Sequence, residues 1–169
     1  MSAIAIPDLL SRFVMTTLTF EDLASLDGEE LGSANNPYAV IGLTISKAIV
    51  KADANLNSSS HGVALKSGRL PAQTSQDEIE LRFAKPQRGF GFFYRTPRAT
   101  LLTVKALNSD ETVLEEDVFQ DGEGYSGIIR ARAEIGIVRI LTRTNTRDLG
   151  NTSFYIDDLD FGSELKAGY

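Results

Sequence analysis

The 169-residue chain has no cysteine and no tryptophan, and it has a single histidine. Without cysteine there is no disulfide, no thiolate metal site and no cysteine nucleophile. Without tryptophan the largest aromatic platform for stacking is missing. With one histidine, any Ser-His-Asp or histidine-metal scheme must run through His61. That residue lies in Ser58-Ser59-Ser60-His61-Gly62, the pattern of a solvent-exposed loop. No apolar run approaches the ~20 residues of a membrane span. Met1–Met15 has no basic region ahead of an apolar stretch, so it does not read as a signal peptide. The expectation is a cytoplasmic chain or a piece of something longer. Positive charge is also scarce, with 17 Lys and Arg against 23 Asp and Glu and a net charge of -6. That balance argues against nucleic acid, whose affinity rests on neutralising phosphates, and against anionic membrane surfaces.

What is present is a core-forming composition. Hydrophobic residues make up 42% of the chain and charged ones 24%, enough for one globular domain. Strand signals dominate from Thr16 onward. Glu78–Lys85 alternates cleanly, with Ile79, Leu81 and Phe83 on one face and Glu80 and Arg82 on the other. Gly89–Tyr94 is an aromatic strand loosened by glycine. Thr100–Leu107 carries Leu102, Val104 and Ala106 in phase, and Asn108-Ser109-Asp110-Glu111 reads as a hairpin turn into Thr112–Phe119. Gly127–Arg132, Gly136–Arg143 and Ser153–Phe161 follow as strands. Ala39–Val50 reads as one bent strand or two short ones, and Asn55–Gly68 as a polar loop. Many short strands with polar turns predict an all-β antiparallel sandwich or barrel. Before them, Pro7 with Leu9, Leu10, Phe13 and Val14 at helical spacing predicts a short helix, packed on the domain or reaching a neighbour as an arm.

Two segments stand out because their alternation slips. Leu18-Thr19-Phe20-Glu21-Asp22-Leu23 lies near the start and Tyr155-Ile156-Asp157-Asp158-Leu159-Asp160-Phe161 near the end. Each carries an acidic doublet followed by an apolar residue out of phase. On a strand a phase slip implies one extra residue, a β-bulge.

The order of segments resembles the galactose-binding-like jelly-roll domains of bacterial exported proteins, including those with PEP-CTERM sorting signals. The resemblance covers about residues 16–162 and is strongest at the closing Ile156-Asp157-Asp158-Leu159. It implies an antiparallel jelly-roll β-sandwich at 16–163, with an N-terminal extension at 1–15 and a tail at 164–169. It also implies an extracellular or cell-surface setting, a non-catalytic role and carbohydrate as ligand. In such domains the first and last strands lie side by side with a structural Ca²⁺ ion nearby. Carried over, that makes Glu21, Asp22, Asp157 and Asp158 candidate ligands, in keeping with the cation's need for several oxygens.

Sugar recognition needs aromatic faces with planar polar groups beside them. Tyr38, Asn57, His61, Tyr94, Arg95 and Tyr125 are the candidates, with Tyr155 also available. The adjacent Glu115, Glu116 and Asp117 read as a solvated strand face and not as a glycosidase pair, since neighbours on a strand point apart. A second reading is a structural subunit of a homo-oligomer or larger particle. It rests on Arg130, Arg132, Arg139 and Arg143, because arginine forks favour interfaces.

Overall fold

The structure is a computed structural model that describes residues 9–54, 62–67, 76–97, 100–120, 122–144 and 153–167, with the backbone alone for residues 76, 143 and 144. Twelve strands are assigned among these residues, in two antiparallel sheets. The seven-stranded sheet holds β1 (Thr16–Leu18), β2 (Glu30–Leu31), β4 (Ala48–Lys51), β5 (Ala64–Ser67), β7 (Gly89–Thr96), β10 (Gly122–Ile129) and β12 (Tyr155–Gly162). Its order is β10-β7-β12-β5-β4-β2, with β1 also paired to β12. The five-stranded sheet holds β3 (Leu43–Ser46), β6 (Gln76–Gln87), β8 (Thr100–Leu107), β9 (Val113–Phe119) and β11 (Ile135–Thr144), in the order β3-β6-β11-β8-β9. The molecule is a jelly-roll β-sandwich.

Alternation builds the core. Phe90 and Phe92 of β7 and Ile156, Leu159 and Phe161 of β12 face Ile79 and Leu81 of β6, Val104 of β8 and Val138 and Ile140 of β11. Ring contacts tie the layers together, Phe83 with Phe161 at 5.1 Å and Tyr94 with Phe119 at 5.8 Å. A buried polar contact also joins them. The Ser67 hydroxyl donates to Asp77 on β6 at 2.8 Å and accepts the Phe154 backbone N–H at 2.9 Å. Both side chains are thereby satisfied away from water, as burial requires.

The first and last strands do lie together, Leu18 opposite Leu159 and Thr16 opposite Phe161. The closing strand carries the expected bulge between Asp157 and Asp160, with Asp158 at φ +49°. The opening segment differs from expectation. Strand β1 stops at Leu18, Phe20 takes a left-handed backbone at φ +63°, and Glu21–Leu26 forms a 3-10 helix. The phase slip there is absorbed by a turn, which lowers Phe20 and Leu23 into the core.

Ala39–Val50 holds two short strands, one of the two forms expected, but its first residues do not extend. A 3-10 turn at Ala39–Ile41 precedes β3 and β4, which belong to different sheets. Lys47, at φ +61°, makes the corner between them and pairs with Glu78. Strand β10 ends at Ile129, so Arg130 and Arg132 lie in the turn that follows it and not along one strand face.

At the N-terminus only the end of the expected helix lies in the described residues. Arg12 and Phe13 close one helical turn on Leu9 and Leu10. The chain then runs as a strap over the outer face of the seven-stranded sheet, burying Leu10 and Phe13 and leaving Val14 exposed. The floor beneath it is glycine. A Cβ on Gly91 would stand 2.7 Å from Leu10 Cδ1 and closer still to the Tyr125 hydroxyl, and one on Gly162 would stand 2.6 Å from the Val14 carbonyl.

The strap seats because those side chains are missing. Gly91→Ala is therefore expected to lower unfolding free energy by about 1–3 kcal/mol through overpacking. Urea denaturation measures it, and unchanged stability would show that the strap is not held by this floor.

Candidate functional site

Strand register assembles a row of side chains on the outer face of the seven-stranded sheet. Glu123 on β10 lies opposite Arg95 on β7, and Arg95 opposite Tyr155 on β12. Tyr155 lies opposite Lys66 on β5, Lys66 opposite Ile49 on β4, and Ile49 opposite Glu30 on β2. Register partners share a face, so the six point the same way. None is buried. Residues on either side of Tyr155 along β12 and of Arg95 along β7, such as Ile156 and Tyr94, point into the sandwich.

At the centre, the Arg95 guanidinium sits over the Tyr155 ring at 4.8 Å from its centroid. Such stacking holds a planar cation against an aromatic face. Arg95 is further fixed by donating to the Ala54 carbonyl at 3.2 Å and lies 3.8 Å from Glu123. Beside the pair is a cleft of about 280 Å³ lined by Arg95, Thr96, Pro97, Ser153 and Tyr155. Its rim is tied down because the Gly122 N–H donates to Thr96 Oγ1 at 3.0 Å, locking β10 to β7. The cleft thus offers a ring face, a braced cation and the Ser153 side chain, a set suited to recognition.

The ligand candidates read from sequence do not converge here. Arg95 is in the cleft. Tyr38 is a correction: it is buried, its ring 6.2 Å from Phe20, and its hydroxyl donates to Asp22 at 2.8 Å. A ring closed into the core cannot stack on a ligand. Tyr94 is on the opposite face of β7 from Arg95, where it packs on Phe119, and burial raises its hydroxyl's pKa. Tyr125 is on the outer face but engaged, edge-on to Phe93 at 5.0 Å and donating to Asp160 at 2.9 Å. Asp160 also accepts from Thr17, so one carboxylate joins β10, β12 and β1. Asn57 and His61 lie outside the described residues. Tyr155 and Lys66 are what residue-by-residue reading under-weighted. Their signal, adjacency across strands, appears only once the sheet order is known.

The four acids proposed as Ca²⁺ ligands are not brought together. Glu21 accepts the Val63 N–H at 3.1 Å, Asp22 accepts from Tyr38, and Asp157 accepts the Asp158 N–H at 2.8 Å. Among the described residues no group of three or more His, Asp or Glu is placed to hold a metal ion. The 3-10 helix is the physical reason, since it commits Glu21 and Asp22 to other partners.

The arginines read as an interface are largely neutralised within the chain. Arg139 binds Glu80 at 3.1 Å and Glu111 at 2.7 Å, and Arg82 binds the same two acids at 2.7 and 2.9 Å. The Arg82 hydrogen bond, with the Arg139 charge, holds the Glu111 carboxyl below its usual range. Arg130 pairs with Glu134 at 2.9 Å and Glu115 at 3.5 Å. Arg132 is exposed, and the Arg143 side chain lies outside the described residues.

No family model and no curated protein matches the chain. Solved structures do. The K2 cleaved adhesin domain of Lys-gingipain matches with TM-score 0.50 and 13% identity, covering 88% of this chain and 99% of that one. The low-affinity xylan binding module CBM86 from Roseburia intestinalis matches with TM-score 0.50 and 12% identity, covering 92% and 98%. At these identities the likeness is one of fold, a β-sandwich spanning both chains nearly end to end.

Burial and carboxylate neighbours shift two phenols most, Tyr125 and Tyr38. Tyr125 is held well above the ordinary phenol value of 10.0 by burial, then by the charge and hydrogen bond of Asp160. Tyr38 is raised in the same direction by burial and by its bond to Asp22. A pKa raised by folding means the native state keeps a proton that the unfolded chain has lost, so stability must fall as pH rises. The loss is expected to begin near the unfolded value of about 10. Urea midpoints from pH 8 to 11 should decline, and Tyr125→Phe should flatten the decline. An unaltered slope in that variant would count against the assignment.

Proposed function

We propose that this chain is a non-catalytic carbohydrate-binding module that takes a sugar ring at the Arg95–Tyr155 cleft. The observation that carries the reading is the half-exposed Tyr155 ring with Arg95 braced over it beside an open cleft. Arg95 occupies one face of the ring, and a pyranose would stack on the other. Stacking buries the apolar C–H face of a sugar, and the hydroxyls around its rim find partners in Ser153 and in the guanidinium at the ring's edge. The lining side chains are suited to orienting a ligand and leave its bonds alone. The Roseburia intestinalis module, which shares this fold, is described as binding xylan, and that is in keeping with the proposal. Calcium forms no part of it, because no group of three or more His, Asp or Glu among the described residues is placed to hold a metal ion. The rival reading as an assembly subunit loses its footing where Arg130 and Arg139 pair internally.

Removing the ring should weaken glycan binding at least tenfold, in line with the roughly 1.5–3 kcal/mol that a fully buried aromatic side chain contributes. The measurement is a glycan array followed by calorimetry on the best hit, comparing Tyr155→Ala with Tyr155→Phe. Phenylalanine should retain most of the affinity. Equal binding by the alanine variant would place the site elsewhere, and no binding to any glycan would defeat the proposal.

A further inference from the structure

We infer that the ligand of this face is an anionic glycan, one whose sugars carry carboxylate or sulfate groups; the inference rests on the carbohydrate reading above. The argument begins with register. The row Glu123–Arg95–Tyr155–Lys66–Ile49–Glu30 crosses six neighbouring strands. Adjacent strands lie about 4.8 Å apart, so Tyr155 has a cation one strand away on each side. Those two cations differ. Arg95 is committed to the Tyr155 ring, the Ala54 carbonyl and Glu123. Lys66 is half-exposed, and among the described residues its ammonium has no hydrogen-bond or ion-pair partner. The Tyr155 hydroxyl likewise has no partner among them.

This contrasts with the other sheet. There Arg82, Arg139 and Lys105 each have a carboxylate within reach. A lysine with no partner among the described residues, beside an aromatic ring on a chain of net charge -6, therefore needs a reason. The chain's acidity does not forbid an anionic ligand, since charges beyond about 8 Å are screened at physiological ionic strength. What a sugar on Tyr155 meets is the local pair, Arg95 on one flank and Lys66 on the other. The two carboxylates of the row, Glu123 and Glu30, stand at its ends, outside that pair. A sugar seated on Tyr155 would direct a ring substituent along the row toward Lys66, and a negative group there would pair with its ammonium.

The test measures Kd by calorimetry for matched charged and neutral polymers. One arm uses polygalacturonate and its fully methyl-esterified form. The other uses a sulfated galactan and its desulfated form. The two arms separate carboxylate from sulfate as the source of charge. At least one charged polymer should bind tenfold or more tighter than its neutral counterpart. Lys66→Gln should cut that preference about fivefold, the scale of an exposed ion pair, with the melting temperature unchanged. Lys105→Gln, on the other sheet, should leave it intact. The inference is overturned if neutral polymers bind as well as charged ones, if Lys66→Gln has no effect, or if Lys105→Gln has the same effect. Neutral polymers bound through Tyr155 would sink this inference and leave the carbohydrate reading standing. Binding of none of the four, nor of any other glycan, would sink both.

Discussion

One extra residue in the closing strand sets the arrangement of the whole seven-stranded sheet. Side chains on a strand alternate with a period of two, so Ile156 facing inward would send Leu159 and Phe161 outward. The bulge at Asp157–Asp158 inserts one position and restores the phase, and all three then pack in the core. Asp158 meets the geometric cost in its left-handed backbone. Because β12 pairs with β7 on one edge and with both β5 and β1 on the other, this single register decides what each neighbour presents. It turns Tyr155 outward between Arg95 and Lys66, and it turns Asp160 outward to receive Tyr125 and Thr17.

The two outer faces resolve their polar side chains in different ways. On the five-stranded sheet, charges of both signs neutralise one another in the Arg82–Glu80–Arg139–Glu111 network. Each such exposed pair contributes little on its own, and the network's main consequence is a surface with few unmet charges. On the seven-stranded sheet one half of the face is covered and the other open. The N-terminal strap fills the glycine floor around Gly89, Gly91 and Gly162. Beyond the strap, toward Arg95 and Tyr155, the sheet carries side chains that stand free of it.

Much of the fold was legible because local pattern and tertiary demand agreed. Thr100–Leu107 reads as a strand residue for residue, since its alternating apolar positions face the core. The Asn108–Glu111 turn was equally plain: Asn108 Oδ1 accepts the N–H groups of Asp110 and Thr112, the work that turn asparagines do. The bulge at Asp157–Asp158 was readable from the phase slip alone. The similar slip at Leu18–Leu23 misled, because an inserted residue and a tight turn leave the same trace in one dimension. Lys47 hid a change of sheet, since nothing in Ala39–Val50 distinguishes a bend from a corner. The site was harder still. Tyr155 and Lys66 are far apart in the chain, and only the pairing of β12 with β5 makes them neighbours. Tyr38 reads as available and is buried, for a tyrosine in sequence carries no mark of which way its ring turns.

The strap closes against the far end of the polypeptide. Val14 donates to the Glu164 carbonyl and Lys166 to that of Arg12, each at 2.8 Å. Residues 12–14 and 164–166 therefore meet at one pole, where Gly89 pairs with Gly162. Arg95 and Tyr155 stand six residues along β7, which at ~3.4 Å per residue is about 20 Å away. Tethered at that pole to anything else, the body would hang like a pendant, with the Tyr155 cleft at the outward tip and clear of its own attachment.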